Sequence, residues 1–315
     1  MSLIIASQLD ADFNRGLGQH PLAPILIDVA DDAPWLAASE ADVLLVRPSP
    51  AWRQPSAMRP PLWPGRLKWV YSASAGIDFY PQWLLDAPLV TCGRGVAADE
   101  IADYVIAAIY AHAKNLEAVT ARSLDQWINV PLGRVSGTTI GIVGLGAIGQ
   151  AVARRGLALG AQVVGLRRSG MQGSISGVEH VRDIETLVAQ SDHIVIAVPA
   201  TPATRHLFND ALFDRVKPGA HIINVARGSV IDQDALVRAL DRGDGPGFAT
   251  LDVTDPEPLP AGHILYTHRH VRLTPHVSSN HTLVRHRLLE KVRDDISRFA
   301  RGEAPSDIVD PARGY

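Results

Sequence analysis

Short apolar runs, separated by polar or proline-rich stretches, recur along the first hundred residues of the chain. They lie at residues 3–6, 25–27, 43–46, 69–71 and 89–91. Runs this short and this apolar are typical of parallel strands that are buried on both faces. Most of the intervening segments are long enough for a crossover helix, but residues 48–64 contain five prolines before Pro64 and are expected to be largely loop. The pattern predicts a small α/β unit.

A longer periodic segment follows at residues 98–118, which have the length and composition of one helix. Its apolar positions recur at three- and four-residue spacing, namely Ile101, Val105, Ala108 and Ile109. Beyond it, strands are predicted at 139–143, 162–166, 193–198, 221–225, 247–252 and 271–273, and helices at 147–159, 183–190 and 232–241. Strands that alternate with helices in this way predict a second, doubly wound parallel sheet. A last helix is predicted at 282–300, before the stop signal Arg301-Gly302.

The second unit contains a glycine turn at the junction of a strand and a helix. A pyrophosphate can approach a helix N-terminus only where side chains do not obstruct it, and glycines permit both the turn and close helix packing. The Gly-x-Gly-x-x-Gly spacing is weak evidence alone, but here it follows a strand, opens a helix and precedes a second strand. The predicted dinucleotide site consists of Gly144, Leu145, Gly146, Ala147, Ile148 and Gly149.

The second strand of this unit ends in two arginines, Arg167 and Arg168. An Asp or Glu about 20 residues past the glycines usually accepts hydrogen bonds from the adenosine ribose. Arginine instead offers a planar fork of donors that suits a 2′-phosphate, and the missing acid removes repulsion against that phosphate. The pair predicts NADP(H) as the preferred cofactor, with NAD(H) as the alternative. Two solvated side chains at a strand end are the plainer interpretation.

The predicted fold class is therefore α/β, with two Rossmann-like or flavodoxin-like domains built on doubly wound parallel sheets. The dinucleotide-binding domain is expected to be inserted into the other domain. Residues 1–100 and 283–315 are expected to form the substrate (catalytic) domain, and residues 101–282 the dinucleotide-binding domain.

Composition excludes several other classes of protein. The chain has 315 residues of which 46% are hydrophobic, enough for two domains with sizeable cores. Its 30 basic and 33 acidic residues are too balanced to indicate a nucleic-acid partner. A single cysteine, Cys92, forms no internal disulfide and no cysteine-based metal cluster. No apolar run approaches the roughly 18 residues that span a bilayer, so no membrane partner is expected and the cytoplasm is the expected location.

Six short stretches carry more specific information than the glycine turn. They are Ser74-Ala75-Gly76-Ile77-Asp78, Ile101-Ala102-Asp103-Tyr104, Gly141 to Gly149, Ile223-Asn224-Val225-Ala226-Arg227-Gly228, Leu251-Asp252-Val253 through Glu257-Pro258-Leu259, and Leu273-Thr274-Pro275-His276. In order and spacing the chain resembles the D-isomer-specific 2-hydroxyacid dehydrogenases, most closely their glyoxylate/hydroxypyruvate reductase branch. The resemblance implies a homodimeric oxidoreductase that reduces a small 2-keto acid, such as glyoxylate or hydroxypyruvate, to the D-2-hydroxy acid.

The resemblance also implies catalytic roles for three residues. Arg227 would bind the carboxylate and carbonyl of the substrate, His276 would deliver the proton, and Glu257 would hydrogen-bond the far ring nitrogen. The chemistry requires such groups, because negative charge grows on a carbonyl oxygen when its carbon accepts a hydride. Arg227 could instead close a turn, and His276 could be a core histidine. Both residues, however, follow predicted strands of one sheet, and ligands of open sheets bind beyond the carboxyl ends of the strands. Asp252 and Asp255 are nearby carboxylates, and the family pattern favours Glu257.

Other binding residues are expected on the same basis. The backbone amides around Ala75 and Gly76 would receive the substrate carboxylate, although a simple helix-start turn is the plainer interpretation. The cofactor would be lined by Val198, Pro199, Thr204, Val225, Ala226, Arg227, Asp252, His276 and Ser278, with Asp252 facing the nicotinamide amide. Arg47, Trp52 and Trp127 are candidates for the side-chain pocket. Asp103 stands where many members of the family have Glu, and Thr254 where an aromatic residue is frequent.

Several alternatives stay open at this stage. Corepressors that resemble C-terminal-binding proteins share the fold and its motifs, so a cofactor-sensing binding protein is the second class of function. Within enzymes, a bulkier 2-keto acid or phosphoglycerate is an alternative substrate, although no appended regulatory domain supports the latter. A formate dehydrogenase is disfavoured, because those enzymes pair their histidine with Gln instead of Glu. The twelve histidines do not form a recognisable ligand pattern, and no metal is expected.

Overall fold

The computed structural model describes residues 2–54, 58–167, 175–279, 281–311 and 313–315. The chain forms two compact units: unit 1 comprises Met1–Val96 with His281–Tyr315, and unit 2 comprises Ala97–Asn280. The predicted fold class, α/β with two parallel sheets, is confirmed. Which ligand each unit binds stays a prediction. Among the described residues, no helix combines the length and the apolar character that crossing a membrane requires.

Twelve strands are described in chain order. They are β1 (Ile4–Ser7), β2 (Ile25–Asp28), β3 (Val43–Val46), β4 (Trp69–Ser72), β5 (Val90–Cys92), β6 (Thr139–Val143), β7 (Gln162–Leu166), β8 (Val178–His180), β9 (His193–Ile196), β10 (His221–Asn224), β11 (Phe248–Leu251) and β12 (Val271–Leu273). The α-helices are α1 (Ala11–Gly18), α2 (Gln82–Leu85), α3 (Ala98–Lys114), α4 (Ala147–Ala158), α5 (Ile184–Gln190), α6 (Asp210–Phe213), α7 (Gln233–Arg242) and α8 (His281–Ala300).

Unit 1 is built on a five-stranded parallel sheet in the order β2-β1-β3-β4-β5. Helices α1 and α8 cover one of its faces, where Leu17, Val292 and Ile296 pack with Trp69 in a buried apolar cluster. Gly16 permits the contact between the two helices, because a Cβ there would lie 2.5 Å from Leu289 Cδ2. The last helix thus completes the core of unit 1, although it is distant in the chain from the strands of that unit.

Unit 2 is built on a seven-stranded parallel sheet in the order β12-β11-β10-β9-β6-β7-β8. The strand order reverses between β6 and β9, and in open α/β sheets ligands bind beyond the carboxyl ends of the strands at such a reversal. Strands β6, β7 and β12 have the predicted bounds, whereas β8 was not predicted. Helix α3 ends four residues before the predicted end, because Asn115 adopts a left-handed conformation with φ 39°.

Candidate active site

The carboxyl ends of β10, β11 and β12 lie side by side at one edge of the unit 2 sheet. Each strand is followed by a predicted site residue: Arg227 after β10, Glu257 after β11 and His276 after β12. Since parallel neighbours end at the same edge, three segments that are distant in the chain converge there. The structure therefore brings the predicted catalytic set together within one unit.

The imidazole of His276 and the carboxylate of Glu257 are hydrogen-bonded at this edge, with 2.7 Å between Nδ1 and Oε1. The hydrogen bond to Glu257 raises the pKa of His276 above its ordinary value and outweighs the opposing effect of burial. Burial raises the pKa of Glu257, but the hydrogen bond and charge of His276 outweigh it and the net pKa is lowered. Both directions favour an imidazolium–carboxylate pair.

Arg227 is positioned by the turn that follows β10. Asn224 organises this turn: its Oδ1 accepts a hydrogen bond from Ala226 N at 3.0 Å, and its Nδ2 donates to the carbonyl of Arg227 at 3.0 Å. The half-buried guanidinium donates to Ala226 O at 2.9 Å. Its charge lowers the pKa values of both His276 and Glu257. Arg227 is therefore close enough to act on both residues electrostatically.

Gly228 explains how the Arg227 turn can lie so close to the segment that carries Glu257. A Cβ at residue 228 would lie 1.9 Å from the carbonyl carbon of Thr254 and 2.4 Å from the nitrogen of Asp255. These are backbone atoms, which cannot rotate away as a flexible side chain can. Only glycine fits at this crossing of two loops.

Asp252 is buried, with 1% of its surface exposed, and ties down the loop of His276. Its carboxylate accepts hydrogen bonds from Val277 N at 2.8 Å and Ser278 N at 2.9 Å, while its carbonyl accepts from His276 N at 2.9 Å. His276 itself has a φ of 53°, in the left-handed region. Asp252 was predicted to face the nicotinamide amide, and in the structure it holds the backbone around His276.

The glycine turn after β6 has the shape that a dinucleotide phosphate needs. Gly144 has a φ of 105°, and a Cβ at Gly149 would lie 2.0 Å from the carbonyl oxygen of Gly144. By contrast, a Cβ at Gly146 would meet nothing within 4 Å, at the residue that caps the N-terminus of α4. Two glycines thus let helix and strand approach, and the third leaves open space before the helix. These residues fit the pyrophosphate of a nicotinamide dinucleotide.

Arg167 follows β7 and is half-buried, whereas Arg168 lies outside the described residues. A small cavity beside it is lined by Leu145, Gln150, Arg167, Ile175, Val178 and His180. His180 was not singled out from the sequence, because β8 carries only three residues and no apolar run marks it. It places an imidazole in the lining of the same cavity as Arg167.

The predicted cofactor-lining segment after β9 forms its own hydrogen-bonded turn. Thr204 Oγ1 donates to Pro199 O at 2.7 Å and accepts from Thr201 N at 2.8 Å. Val198 is half-buried and Pro199 exposed. The hydroxyl of Thr204 therefore shapes the loop in which Val198 and Pro199 lie.

In unit 1, Ala75 and Gly76 lie in a turn after β4. Ser72 organises it: Ser74 N donates to Ser72 Oγ at 3.2 Å, and the hydroxyls of Ser72 and Tyr80 are 3.0 Å apart. Gly76 N donates to Ser74 Oγ at 3.2 Å, while Ala75 is exposed. The amide of Gly76 is thus engaged by Ser74, and binding of a substrate carboxylate at this turn stays a prediction.

The three pocket candidates differ in their surroundings. Arg47 forms a 2.6 Å ion pair with Asp31, and Trp52 is buried with its Nε1 donating to Gln8 Oε1 at 3.2 Å. Trp127 is 83% exposed in the segment between α3 and β6. Arg47 and Trp52 belong to one hydrogen-bonded group in unit 1, and Trp127 belongs to unit 2.

The two departures from the family pattern have local explanations. Asp103 accepts a hydrogen bond from Arg155 Nε at 2.7 Å and so links α3 to α4. Thr254 donates its hydroxyl to Pro256 O at 2.9 Å within the segment before Glu257. Throughout the described part of the chain, no group of three or more His, Cys, Asp or Glu side chains is arranged to hold a metal ion.

The fold and the convergent site define a nicotinamide-dependent oxidoreductase of the 2-hydroxyacid type. Residues 106–278 match the family model of the D-isomer specific 2-hydroxyacid dehydrogenase, NAD binding domain, which is more than half of the chain. The chain belongs to this family, and the resemblance drawn from its motifs is confirmed.

Reductases from other organisms are similar to this protein over most of its chain. It is similar to a glyoxylate/hydroxypyruvate reductase A from Serratia proteamaculans, at 31% identity over 84% of this chain and 86% of that protein. A glyoxylate reductase from Thermofilum pendens is 34% identical over 77% of this chain and 75% of its own length. The structure of an NADPH-dependent glyoxylate/hydroxypyruvate reductase from Sinorhizobium meliloti, in complex with NADP and sulfate, matches 100% of both chains with a TM-score of 0.81 and 26% identity.

Proposed function

We propose that the protein reduces a small 2-keto acid of the glyoxylate or hydroxypyruvate type to the D-2-hydroxy acid, with NADPH as the preferred reductant. The observation that carries this proposal is the 2.7 Å contact between His276 Nδ1 and Glu257 Oε1, under the electrostatic influence of Arg227. A carbonyl reduction needs a proton donor and a cation beside one oxygen, and these residues supply both.

His276 is the proposed proton donor, and Glu257 selects the nitrogen that donates. An ionised carboxylate can only accept, so the 2.7 Å contact requires a proton on Nδ1. Nε2 is then the nitrogen left for the substrate, and it carries a proton only when the ring is cationic. Glu257 favours that cationic form, because its hydrogen bond raises the pKa of His276.

Arg227 is the proposed substrate-binding cation. A guanidinium can form two parallel hydrogen bonds with a carboxylate, and its fixed charge stabilises the negative charge that grows on the carbonyl oxygen. The turn held by Asn224 limits the freedom of the Arg227 backbone, so less conformational entropy is lost when a substrate binds. The backbone amides around Ala75 and Gly76 in unit 1 are also proposed to bind a substrate carboxylate.

The bound cofactor would supply a hydride to the carbonyl carbon. Gly144 to Gly149 would hold its pyrophosphate at the N-terminus of α4, where Gly146 leaves open space. Val198, Pro199, Thr204, Val225, Ala226 and Ser278 are proposed to line the rest of its site. Arg167, with Arg168, is proposed to bind the 2′-phosphate of NADPH in place of the acid that serves NADH. The similar Sinorhizobium meliloti enzyme, whose structure contains NADP, supports this preference.

A steady-state assay with purified protein tests the proposal. Glyoxylate, hydroxypyruvate, pyruvate and phenylpyruvate are each offered with NADPH and with NADH, and the loss of reduced-nicotinamide absorbance is followed. We expect the highest kcat/KM for glyoxylate or hydroxypyruvate with NADPH, and loss of turnover in His276→Ala. Faster turnover of phenylpyruvate would indicate a bulkier substrate.

The same assay distinguishes an enzyme from a cofactor-sensing protein. Tight NADPH binding without turnover of any 2-keto acid would overturn the proposed reaction and favour the binding class. We further propose a homodimer, which light scattering of the purified protein tests by mass.

A further inference from the structure

A continuous line of short hydrogen bonds runs from α3 to the loop of His276. The hydroxyl of Tyr104 lies 2.6 Å from Thr274 Oγ1, although 170 residues separate them in the chain. Thr274 Oγ1 in turn donates to Asp252 Oδ1 at 2.7 Å. The line therefore joins a helix of the core to the buried carboxylate that holds the His276 backbone.

The direction of each proton in this line follows from the inventory of donors. The carboxylate of Asp252 accepts from the amides of Val277 and Ser278 and has no proton to give. Thr274 has one hydroxyl proton, which must go to Asp252. Tyr104 is then the donor to Thr274, and burial, which raises the pKa of Tyr104, keeps its proton in place.

The same carboxylate fixes the chain on both sides of His276. Thr274 precedes it, while Val277 and Ser278 follow it, and all three donate to Asp252. The amide of His276 donates to Asp252 O at 2.9 Å and also reaches Thr274 O at 3.0 Å. With His276 held in a left-handed conformation, a small rotation of the Asp252 side chain would move the imidazole relative to Glu257.

We propose that Tyr104 and Thr274 are positioning residues for the proton-transfer step, which hold Asp252 and through it the loop that aims His276 at its substrate. Neither touches the reacting atoms in this scheme. The inference rests on the proposed role of His276 as proton donor. It adds a positioning role for Tyr104 on α3 and for Thr274, to which the motifs alone assign no function.

The chain offers closely matched variants. Thr274→Val keeps the shape of the side chain and removes its hydroxyl, whereas Thr274→Ser keeps the hydroxyl and removes a methyl group. Tyr104→Phe removes only the first donor of the line and leaves the ring, which packs on the buried cluster of α3. Tyr266→Phe is the control: it removes a hydroxyl that donates to Leu259 O at 3.0 Å, in a half-exposed position of the same unit.

The first measurement separates kcat from KM. We expect Thr274→Val to lower kcat about tenfold and Tyr104→Phe about threefold, with the Kd for NADPH and the KM for glyoxylate changed less than about threefold. Thr274→Ser should recover most of kcat, and Tyr266→Phe should match the unaltered enzyme. The alkaline decline of kcat should begin at lower pH in Thr274→Val, since a loosened His276–Glu257 contact no longer favours the imidazolium.

The second measurement needs neither substrate nor cofactor. The His276 imidazole is titrated by NMR in the free protein, with His276→Gln used to assign its signal. Thr274→Val should titrate at lower pH than the unaltered protein, and Thr274→Ser should not. This outcome is independent of whether glyoxylate is the right substrate, so failure of the proposed reaction and failure of the positioning role are distinguishable.

Two results would overturn the inference. One is an unchanged kcat and an unchanged His276 titration in both Thr274→Val and Tyr104→Phe. The other is an equal loss in Thr274→Val and Thr274→Ser, because the hydroxyl would then not be the cause. Thermal unfolding of each variant shows whether a loss of folding explains a loss of rate.

Discussion

The imidazole of His112 stacks on that of His221, with 4.5 Å between ring centroids and 30° between planes. His193 lies 5.7 Å from His221 and completes a cluster at the amino ends of β9 and β10. Thr250 Oγ1 satisfies Nε2 of His221, but in the described part of the chain Nδ1 of His193 and Nδ1 of His221 have no hydrogen-bond partner. The surroundings of this cluster disfavour a protonated histidine, whereas Glu257 favours a protonated His276.

Burial disfavours the charged form of these rings. It lowers the pKa of His193 to about 4, with the charge of His112 as a second cause that outweighs the opposite effect of Asp192. Burial and the neighbouring imidazoles lower the pKa of His221 well below its ordinary value, and Arg272 acts in the same direction. Protonation must therefore oppose folding of unit 2.

The first prediction is acid destabilisation through this cluster. Between pH 6.5 and about 4 the unfolded chain binds a proton at residue 193 that the folded chain does not, so the free energy of unfolding falls as pH falls. The limiting slope is about 1.4 kcal/mol per pH unit for each such histidine. Urea unfolding followed by circular dichroism at pH 7 and pH 5 should show a smaller difference in His193→Gln. His286→Gln, at a 74% exposed side chain, is the control, and equal slopes in both variants would contradict the prediction.

The second prediction concerns the pH dependence of reduction. The reaction needs protonated His276, so its rate should be highest below the pKa of His276 and fall as pH rises through it. Because the hydrogen bond that His276 donates to Glu257 raises that pKa, Glu257→Gln should move the decline to lower pH. At pH 8 we expect about a tenfold loss of kcat. Glu290→Gln, on an exposed part of α8, should leave the profile unchanged. A Glu257→Gln profile that coincides with that of the unaltered enzyme would exclude Glu257 as the partner of His276.

The third prediction tests the 2′-phosphate interaction. Arg167→Asp should weaken NADPH far more than NADH, since it removes a donor and adds a charge that repels the phosphate. We expect the ratio of the two kcat/KM values to fall about a hundredfold. Arg215→Asp, an exposed position in unit 2 with the same change of charge, controls for long-range electrostatics. Equal losses for both cofactors in Arg167→Asp would remove Arg167 from the phosphate site.

The fourth prediction concerns the loop crossing at Gly228. Gly228→Ala places a methyl group against the backbone of Thr254 and Asp255, so either loop must shift. We expect a loss of about 3 kcal/mol in the free energy of unfolding and a lowered kcat, because both Arg227 and Glu257 lie on the displaced loops. In the control Gly18→Ala, the new methyl group meets only Leu26 Cδ1 at 3.6 Å, an ordinary contact. If both variants unfold alike, the crossing does not constrain the site.

Strands with apolar runs were predictable because local composition decides them. The bounds of β3, β6, β7 and β12 agree with the pattern of residues 43–46, 139–143, 162–166 and 271–273. The helix ends were less predictable, since a single residue decides them: Asn115 ends α3 by its left-handed backbone. Strand β8 was missed because Val178, Glu179 and His180 form no apolar run.

The site was predictable to the extent that motif residues follow strand ends. Arg227, Glu257 and His276 could be named, because parallel strands bring their carboxyl ends together. The contact between Tyr104 and Thr274 could not be predicted, since it depends on how α3 packs and joins two residues that are 170 positions apart in the chain. The histidine cluster was missed for a similar reason: His193 and His221 each begin a strand, and only strand order makes them neighbours.

The core of unit 1 contains α8, which the ribosome makes only after the whole of unit 2. Unit 2 is continuous in the chain, from Ala97 to Asn280, and all of its strands have been synthesised before α8 begins. Leu17 and Trp69 therefore lack their packing partners Val292 and Ile296 while more than half of this sequence is translated. During that interval the apolar face of the unit 1 sheet is not covered by α8, and transiently exposed apolar surface of this kind favours aggregation.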